Sequence, residues 1–170
     1  MSFIHVCSLA RIDAAVEETG ARSMVTLLQA GTAMVRPSPI NLDRHLFLAL
    51  SDIIEPIDGH ILPDAEHVQR LLDFAKTWDR VAPLLIHCFA GVSRSTAAAF
   101  ISACALNPQR QEVEIARAIR SASPTATPNA RLVALADTIL NRGGRMNEAV
   151  ALIGRGESCT EGIPFSLAIA

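Results

Sequence analysis

The stretch "LLIHCFAGVSRST", residues 84–96, decides the reading of this chain. An apolar run ends at His87 and Cys88, Gly91 follows, and Arg94 precedes two hydroxyl residues. A continuous apolar run of this length suits a strand buried on both faces of a parallel sheet. The residues after it, "STAAAFISACAL", are apolar nearly all round, which suits a helix inside the domain. The stretch is therefore a strand, a tight loop and a helix start. In open α/β sheets, ligands gather at that end of a strand.

Working outward, the chain alternates. "FIHVCS" reads as a strand, "LARIDAAVEETGA" as a helix ended by Gly20, and "SMVTLLQ" as a strand closed by Gly31. "MVRPSPIN" holds two prolines and is irregular. "RHLFLALSD" is a strand ending at Asp52, followed by the loop "IIEPIDGH". Val68, Leu71, Leu72, Ala75 and Trp78 fall on one helical face, and Pro63 and Asp64 suit the start of that helix. Helices are expected over 109–121, 128–140 and 145–153. The tail 154–170 has no clear period and is expected to lie along the surface. Strands alternating with helices, then a run of helices, predict an α/β fold with a mainly parallel central sheet flanked by helices. The expected organisation is one catalytic domain over residues 1–170.

Composition limits the function. The chain has 170 residues, 50% hydrophobic and 19% charged, with a formal net charge of −2. That is globular composition with no general attraction to nucleic acid or anionic membrane, so neither is an expected partner. No run is long enough for a membrane span, and no signal peptide is read at the start. The four cysteines are scattered, without C-x-x-C spacing or a zinc pattern. Free thiols in a reducing compartment follow, with the cytoplasm as the expected location. Cys104 is read as a small core residue and Cys159 as incidental; Cys7 is either core or a resolving partner for Cys88.

The loop itself carries chemistry. Amides at a helix N-terminus point outward with partial positive charge and favour anions. Gly91 lets the loop curl, so the amides of Phe89, Ala90, Gly91, Val92, Ser93 and Arg94 form a nest for a tetrahedral oxyanion. Arg94 adds a planar fork for two phosphate oxygens. In such surroundings a cysteine pKa falls from about 8.5 toward roughly 3.5–7.5, so Cys88 is expected to be a thiolate beneath a bound phosphate, placed for in-line attack. Ser95 is placed to hydrogen-bond the sulfur. His87 is expected to orient the loop rather than act as a base.

"HCFAGVSRST" resembles the HCxxGxxRS/T loop of the cysteine-dependent protein tyrosine phosphatases, the dual-specificity branch in particular. The resemblance covers roughly residues 44–140, within ~2–4 residues. It implies that Cys88 is the nucleophile, Arg94 the phosphate binder and Ser95 the assistant to the sulfur. It also implies a general-acid aspartate from the loop after the preceding strand, and it includes a downstream "PN", here Pro128-Asn129. Asp52 closes the strand and is preferred as the acid. Asp58, in the turn Asp58-Gly59, is the alternative, because the loop is longer than the family pattern; Asp64 is better explained as a helix start. Asn129 is either an N-cap or a contact to the loop.

The implied activity is hydrolysis of phosphotyrosine, and of phosphoserine or phosphothreonine, without metal or cofactor. The substrate is a phosphorylated protein or a small phosphoester. An impaired phosphate-binding module, or a phosphatase for phosphoinositides or metabolites, are the alternatives. The oligomeric state is not written in the sequence.

Overall fold

The computed structural model describes all 170 residues. Five strands, β1 (Ser2–Ser8), β2 (Ser23–Leu28), β3 (His45–Ala49), β4 (Leu84–Cys88) and β5 (Phe165–Ile169), form one sheet in the order β3-β2-β4-β1-β5. β1, β2, β3 and β4 pair in parallel; β5 runs antiparallel to β1 at the edge. The helices are α1 (Ile12–Thr19), α2 (Ala65–Thr77), α3 (Arg94–Leu106), α4 (Glu112–Ala122), α5 (Ala130–Ile139) and α6 (Arg145–Ile153). The expected α/β architecture is present, with one antiparallel strand added. None of the helices is long and apolar enough to cross a membrane.

Residue alternation along the strands sets the two faces. Ile4, Val6, Val25, Leu27, Leu84, Ile86 and Cys88 join the large core under α2–α6. Cys7, Met24 and Leu85 face the other way, under Ile12, Ala15 and Val16 of α1. α3 runs through the middle of the helical layer, and every residue from Arg94 to Cys104 is buried. This is why its sequence shows no polar face.

Two expectations change. Cys7 pairs in register with His87, so its side chain lies on the opposite sheet face from that of Cys88. A resolving partnership between the two is therefore excluded by the pleat. The tail is not simply surface-lying either. Phe165, Leu167 and Ile169 point into the core while Ser166 points out, a period-2 strand pattern present in "FSLAI". Ahead of it, residues 154–164 cross over the loop that follows β4.

Candidate active site

β4 delivers His87 and Cys88 to the sheet's carboxyl edge, with alternation sending the two side chains apart. Cys88 Sγ enters the α3 side, 3.1 Å from Ser95 Oγ, and accepts the Gly91 N–H at 3.3 Å. His87 enters the α1 side and is fully buried. Its Nδ1 lies 3.1 Å from the Cys88 carbonyl and its Nε2 lies 2.7 Å from Thr26 Oγ1. Burial, the main cause, lowers the His87 pKa to about 4, so the ring is neutral near pH 7. Nδ1–H then donates to the carbonyl, and the Thr26 hydroxyl donates to Nε2. Thr26 Oγ1 in turn lies 2.7 Å from His45 Nε2. His87 thus contacts the loop backbone from behind, and Thr26 as its partner was not legible in the sequence.

Four of the loop's carbonyls point outward, each to a donor from another segment. Phe89 O accepts from Leu9 N at 3.1 Å, and Ala90 O from Gly162 N at 2.8 Å. Val92 O accepts from Thr127 N at 2.9 Å, and Ser93 O from Asn129 N at 3.2 Å. Turning the carbonyls out turns the amides in. The N–H groups of Phe89, Ala90, Val92 and Ser93 donate to no group in the protein. Convergent, unpaired amides of this kind form an anion nest.

Gly91 makes the curl feasible. Its φ is +73°, and a Cβ there would sit 2.9 Å from the Cys7 carbonyl carbon and the Ser8 nitrogen. On the other side, a Cβ on Gly162 would sit 2.5 Å from Gly91 O. The loop is clasped between β1 and the C-terminal segment at distances only glycine allows. That segment is a further support the sequence reading missed. It is held by Glu161, whose Oε1 accepts from Ser8 Oγ at 2.8 Å and Arg11 Nε at 2.9 Å.

Arg94 opens α3 and is 8% exposed. One terminal nitrogen donates to Leu50 O at 3.0 Å, while Nε is buried and unpartnered. A buried guanidinium N–H without an acceptor is costly in isolation, and an oxyanion in the nest is the acceptor its position fits.

Asp52 lies at the loop's rim. Its Oδ1 accepts from Ser93 Oγ at 2.7 Å and from Asn129 Nδ2 at 3.0 Å. Asp58 sits in the exposed turn before Gly59 and makes no hydrogen bond to the loop. Asp64 caps α2, accepting from His67 N at 3.0 Å. Of the three carboxylates considered, the fold brings Asp52 to the loop. Arg131 donates to Pro63 O at 2.6 Å.

Two cavities flank the Asp52–Ser93–Pro128 ridge. One, of about 510 Å³, is bounded by Val150, Arg155, Glu157 and Cys159. The other, of about 460 Å³, is bounded by Ile53, Ile54 and Ile57. Burial pushes the thiols of Cys7 and Cys104 up to about 12, so neither is a competing nucleophile.

Residues 58–126 match the protein-tyrosine phosphatase family model. No curated protein matches the chain. Among solved structures, human DUSP28 superposes with a TM-score of 0.61 at 16% identity, over 81% of this chain and 87% of that one. DUSP15 gives 0.59 at 16% identity, over 90% and 92%. The PTP-2 phosphatase of Cydia pomonella gives 0.58 at 19% identity, over 78% and 83%. At these identities the structural likeness concerns the fold. The fold, together with the family match across the Cys88 loop, makes the chain a cysteine-dependent phosphatase. Over residues 58–126 it is similar to the protein tyrosine phosphatases, and its fold is the one seen in the dual-specificity phosphatases.

Proposed function

We propose that the protein hydrolyses phosphate monoesters, phosphotyrosine and also phosphoserine or phosphothreonine, through a cysteinyl-phosphate intermediate. The observation that carries this reading is the sulfur of Cys88 at the base of inward-turned amides, beside the unpartnered Arg94 Nε. In the first step Sγ attacks phosphorus in line, the ester P–O bond breaks, and Asp52 gives its proton to the departing oxygen. In the second, water attacks phosphorus and passes a proton to Asp52. The P–S bond breaks, and the Ser95 hydroxyl donates to the sulfur that leaves as thiolate. The amides of residues 89–93 and the Arg94 fork hold the equatorial oxygens throughout, so charge is neutralised by groups already in place. The substrate is a phosphorylated protein or small phosphoester, and the four free thiols fit a reducing compartment such as the cytoplasm.

Turnover of p-nitrophenyl phosphate by wild type, Cys88→Ser and Asp52→Asn tests the scheme. Cys88→Ser is expected to be inactive. Asp52→Asn is expected to accumulate a phosphoryl adduct on Cys88, seen by mass spectrometry, because this leaving group departs without an acid while water still needs a base. Wild-type turnover by Cys88→Ser overturns the reading.

A further inference from the structure

One segment set apart by the sequence is not used by the chemistry above: residues 53–63, longer than the family pattern. The excursion is not slack. Its base is closed by Ser51 N donating to Ile61 O at 2.9 Å and by Ile61 N donating to Ser51 Oγ at 3.3 Å. Asn129 Nδ2 reaches Ile53 O at 3.3 Å, and Pro63 O is held by Arg131. A loop fixed at both ends nevertheless turns two isoleucines to water. Ile54 is 53% exposed and Ile57 51% exposed. Scattered surface apolar residues need no explanation, but adjacent ones lining a single cavity mark a contact surface.

That cavity, of about 460 Å³, has Ile53, Ile54 and Ile57 on one side and Pro128 on the other, and it shares Asp52 and Ser93 with the candidate active site. Whatever enters it lies beside the phosphoryl group held by the loop. The occupant is therefore part of the substrate, on the leaving-group side of phosphorus. Its chemistry follows from the wall. Residues 52–63 contain no lysine or arginine, and their charges are Asp52, Glu55 and Asp58. An anionic lipid surface or a polyphosphorylated headgroup meets like charge here. A large aliphatic or aromatic side chain meets isoleucine.

We propose that Ile54 and Ile57 form a docking wall for a large apolar side chain next to the phosphorylated residue of a polypeptide substrate. The wall deepens the phosphatase reading above and rests on it. It makes the chain selective for phosphopeptides with an apolar neighbour over isolated phosphoesters.

The test uses the full chain and peptides phosphorylated on tyrosine or threonine, with leucine or alanine placed in turn at the three positions on each side. For wild type, leucine at one of these positions is expected to lower KM about tenfold with kcat unchanged. The double variant Ile54→Ser/Ile57→Ser is expected to lose that preference while keeping its melting temperature and its kinetics on p-nitrophenyl phosphate. Absence of any leucine preference in wild type, its survival in the double variant, or hydrolysis of p-nitrophenyl phosphate without hydrolysis of any peptide each overturns the proposal. So does binding to vesicles of phosphatidylcholine and phosphatidylserine that the double variant loses, which assigns the wall to a membrane. If wild type hydrolyses neither peptides nor p-nitrophenyl phosphate, the phosphatase reading itself has failed.

Discussion

Asn129 holds Asp52: its Nδ2 donates to Asp52 Oδ1 at 3.0 Å, while its own Oδ1 accepts the Leu132 N–H at 3.0 Å. One amide therefore caps α5 and steadies the proposed acid. The two contacts fix the orientation of the amide, because the carboxylate accepts and the backbone N–H donates. With Oδ1 of Asp52 taken by Ser93 and Asn129, Oδ2 is the oxygen left to carry the proton.

Replacing Asn129 separates these roles. Asn129→Ser keeps a cap of the same rank but is too short to donate to Asp52; Asn129→Ala loses both, at about 1 kcal/mol of stability. Both variants are expected to lower kcat on phenyl phosphate about tenfold, a fraction of the ~10²–10⁴ a general acid supplies. On p-nitrophenyl phosphate, whose leaving group needs no proton, the fall in phosphoenzyme formation should be small. Burst kinetics on the two esters measure this. An equal loss of burst rate on both, or no loss on phenyl phosphate, removes Asn129 from the positioning of the acid.

The clasp on the loop gives a second prediction. Gly91→Ala forces alanine into positive φ, at roughly 1–3 kcal/mol, and drives its Cβ against the backbone of Cys7 and Ser8. No flexible side chain is there to give way. Shifting the loop by about 1 Å misplaces amides and sulfur together, so kcat/KM is expected to fall about 100-fold or more. Gly162→Ala touches no reacting group, yet its Cβ would strike Gly91 O. It is expected to lower kcat/KM and weaken competitive inhibition by inorganic phosphate in parallel. Unchanged phosphate inhibition in Gly162→Ala would mean the C-terminal segment does not shape the nest.

These contacts also show where sequence reading succeeds and stops. The nest is legible because its parts are consecutive: strand, Cys88, Gly91, Arg94 and helix start follow one another. The place of Asp52 on the chain just after β3 is legible for the same reason, although the strand ends at Ala49 and not, as the sequence suggests, at Asp52. Its partner Asn129 lies 77 residues away, and only the motif "PN" marks it, equally well as a cap. Thr26 and Gly162 carry no mark at all. A buried threonine in a strand, and a glycine before Ile-Pro, have many ordinary explanations. β5 was within reach, since Phe165, Leu167 and Ile169 alternate, but five residues are too few for the period to stand out in a tail rich in glycine and charge.

His87 yields a prediction in pH. Its folded pKa is about 4, against 6.5 as its ordinary value, with burial the principal cause. Between these values the unfolded chain takes up a proton that the folded ring refuses. The contribution to stability is therefore complete above pH 6.5 and declines as pH falls toward 4. At about 1.4 kcal/mol per pH unit, the decline approaches roughly 3 kcal/mol. His5 and His45 are lowered in the same direction, also chiefly by burial, so the wild-type slope is shared. His87→Asn isolates one part of it, since an asparagine amide offers a donor near the position of Nδ1 but does not titrate. Urea midpoints at neutral pH and near pH 5 are expected to differ less in this variant than in wild type. The same difference in both would mean that His87 is already protonated in the fold, and that the Thr26–His87–Cys88 carbonyl chain is assembled with a charged ring.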